Sequence, residues 1–545
     1  MRTSAVLVLT SLTLLACKGQ EKPQAYDMVI RHGRIYDGTG KPPYDADLAI
    51  NADTIAAIGD LSQANGKKEI DATGLAIAPG FINMLSWSDG VFLQDGRSLS
   101  DIKQGVTLEV FGEGLSAGPK KDSTAKEPWR SLGQFFDLLQ RKGVSPNFAS
   151  FVGATTVRKY VLGDDDRKPS PAELATMKSL VQQAMNDGAM GVGSSLIYAP
   201  ADFASTEELT ELCKVASAAG GMYITHMRSE GDRIYQALNE TFRIAHDASI
   251  AAEIYHLKIS QKWNWNKIDT VLAKIDSAQH AGLRITANMY PYIASGTSLV
   301  ARLPTWVQAG GPASMRKRLR TPSIRKKVLE ELALGIPSRN SDPADVLILG
   351  FRTDSLNRLY KNKRLNEIAK LHRKDADNTM IDLILADKSS IPSTIYFLMS
   401  EDNVKRMLRL PFVSVCSDAA SRAAEKPFTD DGTHPRVYGS FARFLGKYVR
   451  DEKLMTIEEG VRRMTSLPAS NLKLRRRGEL KPSYFADVVV FDAQRIIDHS
   501  TFEDPHHYAT GVVGVLVNGV LVLKDGEHTG ATPGRCLRGP GSAKK

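Results

Sequence analysis

Strand-like and helix-like segments alternate through the middle of the chain, while both ends contain mainly strand-like segments. Near the N-terminus these are YDMVIRHGRIYDG and DADLAINADTIAAIGD, and near the C-terminus ADVVVFDAQRI and GVVGVLVNGVLVLKDGEHTG. In the middle, apolar β-type runs such as GVTLEVFG, GMYITHMRSE, AEIYHLKIS and FVSVCSDAA alternate with segments of helical periodicity. Strands alternating with helices indicate parallel β–α units, and their number favours an α/β fold closed into a (β/α)8 TIM-like barrel.

This pattern divides the chain into a barrel and a smaller β-domain. We assign residues 80–469 to the barrel, and we expect the terminal segments 26–79 and 470–541 to combine into a small β-sandwich. Residues 298–350 interrupt the alternation with helical, basic sequence. We expect an insertion on a barrel loop there, in a position to act as a lid over the site.

The first residues predict export. Residues 1–17 contain an early Arg2, an apolar stretch too short to span a bilayer, and small residues before Cys17. This arrangement is typical of a secretory signal peptide. LLAC also resembles a bacterial lipobox, which implies acylation of Cys17, whereas a plain signal peptide with an incidental cysteine is the alternative. Because Lys18 follows the cysteine, the resemblance implies a periplasm-facing lipoprotein of the Gram-negative outer membrane, bound to the membrane only by its lipid.

Composition is that of an ordinary globular protein. The 545 residues are 42% apolar and carry a formal charge of +10, and the mean hydropathy is −0.23. These values exclude a disordered chain and a membrane-spanning bundle. Basic residues are interspersed with acids, and the densest basic run, LKLRRRGELKP, favours a solvated surface, so we expect no nucleic-acid partner.

Three side chains that suit a metal site follow strand-like segments. His226 follows GMYIT, His256 follows AEIY, and Asp418 follows FVSVCS. Active sites of such barrels lie at the C-terminal ends of the strands, so these residues are expected to meet. Imidazole nitrogen and carboxylate oxygen are ligands that zinc accepts in a catalytic site with one position open to water.

Longer motifs point to a family. GAMGVGSSLIYAP, YITHMRSEG, YHLKIS, MYPYIASGTSL, THPRVYG and GEHTGATPGRCLRGPG resemble the D-aminoacylase family, the N-acyl-D-amino-acid deacylases of the amidohydrolase superfamily. The resemblance extends over residues 26–541. It implies a zinc-dependent hydrolase that cleaves the amide of a small N-acyl-D-amino acid into a D-amino acid and a carboxylate.

The resemblance also implies roles for individual residues. It makes His226 and His256 ligands of the tightly held zinc and places Asp418 at the metal as well. Asp418 would be the general base, which takes a proton from the zinc-activated water and passes it to the leaving amine.

Four further positions are implied to bind the substrate. Lys258, Tyr290 and Arg436 would hold its carboxylate, and an ammonium, a phenol and a guanidinium are chemically suited to that task. Tyr198 would contact the scissile amide or the substrate side chain, and a packed aromatic residue is the alternative reading at this position.

Two departures from the family pattern concern the metals. The family has His-x-His after the first barrel strand, where this chain has Leu85 and Trp87. Residues two apart on a strand share a face, so both replacements are expected to point into the same space and to remove the second metal position. Where the family has a cysteine, VFGEGLS offers Glu113 as the third zinc ligand, with Glu109 as the fallback. We therefore expect one zinc per chain.

Other functions remain open at this stage. The scaffold could instead hydrolyse another small amide, such as a dipeptide or a cyclic amide, since an apolar group now lies beside the metal. It could also be a metal-free binding lipoprotein. A protein retained only for binding would be expected to lose Asp418 or the carboxylate-binding residues, and this chain keeps both.

Overall fold

The computed structural model describes residues 25–121, 126–335, 341–387 and 393–542. The signal-like segment and Cys17 lie outside the described residues, so export and lipid attachment stay predictions. No helix within these ranges combines the length and the apolar character needed to cross a bilayer.

The N-terminal strands begin a β-domain. Alternate side chains of its first strand enter different apolar clusters, Met28 and Ile30 one cluster and Val29 another, as expected for a two-residue repeat. The strands are β1 (Ala25–Ile35), β2 (Tyr44–Asn51), β3 (Thr54–Gly59), β4 (Asn65–Asp71) and β5 (Ala76–Pro79).

Parallel strands then form the barrel. Their side chains are almost entirely buried, which fits a sheet covered on both faces. β8 and β9 flank Phe151 and continue one strand, so the described residues supply the eight strands of a (β/α)8 barrel, as predicted. The strands are β6 (Phe81–Asn83), β7 (Val106–Phe111), β8 (Asn147–Ser150), β9 (Val152–Gly153), β10 (Gly191–Ser195), β11 (Met222–His226), β12 (Ala252–Ile254), β13 (Ile285–Met289) and, after the insertion, β17 (Val413–Val415).

The barrel closes where its last strand meets the segment after its first. Ser86 and Ala419 form a parallel bridge. The Asp418 amide donates to the Leu85 carbonyl at 2.9 Å, and the Trp87 amide donates to the Ala419 carbonyl at 3.1 Å. Closure therefore brings two segments more than 300 residues apart in the chain side by side at the strand ends.

Helices cover the outside of the barrel. Side-chain caps fix several of their starts; for example, Ser131 and Ser170 each form a reciprocal capping box. The helices are α1 (Leu99–Ile102), α2 (Leu132–Lys142), α3 (Ala154–Leu162), α4 (Pro171–Asp187), α5 (Thr206–Ala218), α6 (Ile234–Asp247), α7 (Ile268–His280) and, after the insertion, α13 (Glu401–Leu408), α14 (Arg436–Arg443), α15 (Ile457–Met464) and α16 (Ser466–Asn471).

The insertion is longer than expected and contains a sheet. The helical part is present, but the segment continues past residue 350 to Tyr396, and its strands pair antiparallel in the order β14, β16, β15. VLILG and STIY are short segments that pair across a long gap in sequence, so local periodicity did not reveal them. The elements are β14 (Ser295–Ser298), α8 (Gly311–Arg320), α9 (Pro322–Ala333), β15 (Val346–Gly350), α10 (Asp354–Tyr360), α11 (Leu365–His372), α12 (Ala376–Ala386) and β16 (Ser393–Tyr396).

The C-terminal strands complete the β-domain. β18 pairs with β5, so the two chain ends join in one hydrogen-bonded sheet, which has nine strands in the described residues. The chain then packs back on the barrel, where the Leu537 amide donates to the Phe148 carbonyl at 2.8 Å. The strands are β18 (Val488–Phe491), β19 (Val512–Val517), β20 (Val520–Lys524) and β21 (Glu527–His528).

Candidate active site

A cavity of about 710 Å³ opens at the C-terminal ends of the barrel strands. Residues after β7, β10, β11, β12, β13 and β17 reach it, as the parallel arrangement requires. The residues assigned a site role from the sequence line this cavity, apart from the fallback ligand Glu109; they are Glu113, Tyr198, His226, His256, Lys258, Tyr290, Asp418 and Arg436.

Glu113, His226 and His256 converge in this cavity, and we call them the metal triad. One ligand atom from each lies within 4.8 Å of the others, and all three side chains are buried. Oε1 of Glu113 lies 2.7 Å from Nδ1 of His226 and 3.2 Å from Nε2 of His256. Two nitrogens thus face one carboxylate oxygen, which is an arrangement of ligand types that zinc accepts.

Local backbone geometry presents these ligands to the cavity. Gly112 and Gly114 flank Glu113 with φ of +106° and +70°. A Cβ on Gly112 would lie 2.4 Å from the Phe151 carbonyl oxygen, so the turn after β7 requires glycine there. His256 has φ of +35°, outside the range that side-chain-bearing residues prefer, and its amide donates to Oδ1 of Asn288 at 2.8 Å.

Burial and neighbouring charges set the protonation of the triad. Burial raises the pKa of Glu113, but hydrogen bonds to the two histidines outweigh that effect and lower it to about 2. Burial lowers the pKa of His226. For His256, burial and Lys258 act to lower the pKa, but nearby carboxylates outweigh them and the net shift is upward. The triad therefore holds an ionised carboxylate beside imidazoles, the form in which a carboxylate binds metal.

One further observation fits a metal at the triad. Nε2 of His226 is buried without a hydrogen-bond partner among the described residues. Such atoms are rare in folded proteins, and a metal ion bound at this nitrogen would satisfy it. The donor set and this nitrogen together suit a divalent cation such as zinc.

Asp418 is outside the triad but lies in the same cavity. It follows β17 with φ of +49°. Nη1 of Arg436 donates to its Oδ2 at 2.6 Å, and Nε1 of Trp87 donates to its Oδ1 at 3.1 Å. The structure thus groups three of the four expected metal ligands and places the fourth between a guanidinium and an indole.

Glu230 is a site residue that the sequence analysis missed. Nζ of Lys258 donates to its Oε1 at 2.6 Å, and the same oxygen lies 3.2 Å from Nδ1 of His256. Burial raises the pKa of Glu230, but the positive charge of Lys258 together with the interactions of His226 and His256 outweighs that effect and holds the pKa well below its usual range. The sequence HMRSE places Glu230 four residues after His226 at the end of a strand, and this closeness could have marked it as a site residue. Glu230 orients a histidine of the triad and an ammonium together.

The other predicted substrate residues surround these groups. The guanidinium of Arg436 lies 4.6 Å from the ring centroid of Tyr290, and Nζ of Lys258 lies 5.5 Å from it. The ring of Tyr198 meets that of His226 edge to face, with centroids 5.4 Å apart, and its hydroxyl lies 3.0 Å from Oγ1 of Thr297. The two cations and Tyr290 are thus adjacent, as a carboxylate-binding group requires.

Leu85 and Trp87 differ in their exposure to the cavity. In the described part of the chain, Trp87 lines the cavity wall, whereas Leu85 is fully buried in the main apolar cluster. β6 ends at Asn83, but Ser86 between these two residues forms a parallel bridge with Ala419. That both replacements face the vacated metal position therefore stays a prediction.

Glu109 lies in a buried set of hydroxyl groups and does not line the cavity defined by the described residues. Ser86 Oγ donates to its Oε2 and Ser98 Oγ to its Oε1, both at 2.5 Å. Burial raises the pKa of Glu109, with these hydrogen bonds opposing the shift. Burial and the charge of Glu109 also raise the pKa of the nearby Asp101. The geometry thus favours Glu113 over Glu109 as the third ligand.

Comparisons with known proteins give a consistent result. A model described as "Amidohydrolase family" matches residues 372–523. The D-aminoacylase of Alcaligenes xylosoxydans xylosoxydans is 33% identical over 530 residues, which cover 95% of this chain and 99% of that protein. The N-acyl-D-glutamate deacylase of the same organism is 32% identical, covering 94% of this chain and 96% of that protein.

Solved structures match over the same length. N-acyl-D-glutamate deacylase from Bordetella bronchiseptica, complexed with zinc and a phosphonate mimic of the tetrahedral intermediate, has a TM-score of 0.80 at 30% identity. A D-aminoacylase whose binuclear metal centre shows one-metal activation and second-metal attenuation has a TM-score of 0.79 at 31% identity. Each match covers 94% of this chain and 100% of the other.

Metal binding is expected to depend on Glu113 and not on Glu109. Replacing Glu113 by Gln removes an anionic ligand, so zinc affinity should fall by at least roughly 10- to 100-fold. Glu109→Gln is the matched control and should keep the affinity of the unmodified protein. Zinc titration by calorimetry measures both, and equal losses in the two variants would contradict the assignment.

Glu109 is also expected to give stability a pH dependence. Because its pKa is raised in the folded state, the folded protein holds the proton to higher pH than the unfolded chain does. The unfolding free energy therefore falls as pH rises from about 4.3, the ordinary pKa, through the raised value. Glu109→Gln lacks this loss, so its melting temperature relative to the unmodified protein should increase as the pH rises above about 4.3. A difference independent of pH would contradict this assignment.

Proposed function

Because the chain belongs to the D-aminoacylase family of the amidohydrolase superfamily, we propose that it hydrolyses the amide bond of N-acyl-D-amino acids to a D-amino acid and a carboxylate. The chain is an enzyme, a hydrolase of carbon–nitrogen bonds other than peptide bonds. One observation supports this choice of substrate. The metal triad lies in the same cavity as two cations, Lys258 and Arg436, which are adjacent to Tyr290.

The metal triad would hold a single zinc ion. Zinc bound there supplies Lewis acidity, which lowers the pKa of a coordinated water to about 7 and polarises a carbonyl. The indole of Trp87 occupies a position where the family has a ligand of a second metal, and Leu85 is packed in the core. This supports one metal per chain, which agrees with the one-metal activation reported for the related D-aminoacylase.

Lys258 and Arg436 would bind the substrate carboxylate. In the free protein their charges are compensated by Glu230 and Asp418, at 2.6 Å in both pairs. A substrate carboxylate can share these donors, since an ammonium has three N–H groups and a guanidinium five. Tyr290, adjacent to both cations, would add a hydroxyl.

Asp418 would move the proton. Its carboxylate lines the cavity beside the triad and is held on a strained backbone at the end of β17. It would accept a proton from the attacking water and deliver it to the nitrogen of the departing D-amino acid. Amide cleavage needs that delivery, because an unprotonated amine anion is a poor leaving group.

Asp418→Asn is expected to abolish turnover of N-acetyl-D-methionine, a loss of at least roughly 100-fold, because the proton carrier is removed. Bound zinc and melting temperature should be retained. Asp431→Asn, at another carboxylate of the cavity wall, is the control and should leave turnover nearly unchanged. Substantial activity in Asp418→Asn would defeat the assignment.

The choice of substrate is tested separately. Comparing turnover of N-acyl-D-amino acids with turnover of dipeptides and hydantoins shows which class the enzyme prefers.

Recognition of the substrate carboxylate is expected to dominate specificity. N-acetyl-D-methioninamide lacks the charge that Lys258 and Arg436 would bind, so its kcat/KM should be roughly 100-fold lower than that of the acid. N-propionyl-D-methionine keeps the carboxylate and should change far less. Comparable kcat/KM values for the acid and the carboxamide would show that the two cations serve another purpose.

A further inference from the structure

The side chain of Asp418 is held at both of its oxygens. Arg436 donates to Oδ2 at 2.6 Å, and the indole N–H of Trp87 donates to Oδ1 at 3.1 Å. The two donors are not equivalent, because Arg436 is also one of the two cations expected to bind the substrate. When a substrate carboxylate also binds that guanidinium, the hydrogen bond from Arg436 to Asp418 weakens. The indole of Trp87 is not expected to bind the substrate carboxylate, so its hydrogen bond to Asp418 is kept.

Backbone and side-chain hydrogen bonds fix the position of Trp87 relative to Asp418. Its amide donates to the carbonyl of Ala419, the residue next to Asp418, at 3.1 Å. On either side of it, Ser86 and Ser88 are buried and their hydroxyls lie 2.9 Å apart. The Ser86 hydroxyl also donates to Glu109 at 2.5 Å. The backbone on both sides of Trp87 is therefore fixed relative to the end of β17.

We propose that Trp87 is a positioning residue for Asp418: its indole N–H fixes Oδ1, so that Oδ2 stays directed at the reacting amide while the substrate carboxylate shares the guanidinium of Arg436. This inference rests on the proposed function. It assigns a role to a residue that replaces a family histidine. In this chain the position supplies a hydrogen-bond donor to the general base, where the family has a metal ligand.

Trp87→Phe tests the proposal because it keeps an aromatic ring and removes the donor. We expect kcat for N-acetyl-D-methionine to fall roughly 10- to 100-fold, the range for losing a hydrogen bond to a charged group, with KM within about twofold and bound zinc unchanged. Trp306→Phe is the matched control, since its Nε1 donates to Glu331 Oε2 at 2.9 Å, away from the cavity. That variant should keep kcat. An unchanged kcat in Trp87→Phe would overturn the proposal.

Comparing an amide substrate with an ester shows whether Trp87 acts by positioning Asp418 or only by maintaining the shape of the cavity. The ester analogue, an O-acetyl-D-2-hydroxy acid, releases an alkoxide that needs a proton less than an amine does. If Trp87 acts through Asp418, the loss in Trp87→Phe should be clearly smaller for the ester than for the amide. Equal losses for the two substrates would mean that the indole only maintains the shape of the cavity, and would overturn the proposal.

A spectroscopic readout does not depend on turnover. In protein with ¹⁵N-labelled tryptophan, the indole N–H signal missing from Trp87→Phe identifies Trp87. Asp418→Asn replaces a charged acceptor by a neutral one, so this proton signal should move upfield while the other indole signals stay in place. A Trp87 signal that does not move would overturn the proposal. If the signal moves but the unmodified protein hydrolyses no N-acyl-D-amino acid, the hydrogen bond stands and the proposed function fails.

Discussion

The buried carboxylate of Glu113 is the constraint on which the rest of the site depends. An ionised group enclosed by protein must be compensated by hydrogen bonds, opposite charge or a metal. Compensation comes from His226 and His256, which lie 113 and 143 residues further along the chain. All three extend from strand ends of one closed barrel, on opposite sides of β8–β10, so the site exists only when the strands are in register. Burial then strengthens each electrostatic contact within it.

The same principle organises the surrounding charges. Lys258 is compensated by Glu230 and Arg436 by Asp418, so the two cations that suit a substrate carboxylate are held ready by carboxylates. Preorganised charges of this kind need little rearrangement when a substrate binds. The triad and the Lys258–Glu230 ion pair are in direct contact, since Glu230 contacts both Lys258 and His256. Metal binding and carboxylate binding are therefore physically adjacent, which suits the cleavage of an amide next to a carboxylate.

Much of this arrangement was predictable because strand ends of a parallel barrel converge. Histidines after two strands and an aspartate after a third indicated one cavity, and the fold class followed from the alternation of strands and helices. Glu230 was missed because it lies in a loop, where no periodicity marks its direction. The hydrogen bond between Trp87 and Asp418 depends on where the first and last strands meet, which local sequence does not encode.

The central claim is that one zinc at the metal triad is sufficient for catalysis. The most direct test is to titrate zinc into metal-free protein while following bound metal and hydrolysis of N-acetyl-D-methionine together. We expect turnover to rise with added zinc, to reach a plateau at about one zinc per chain, and not to change with further zinc. Turnover that requires a second equivalent, or a chain that binds no zinc, would contradict it.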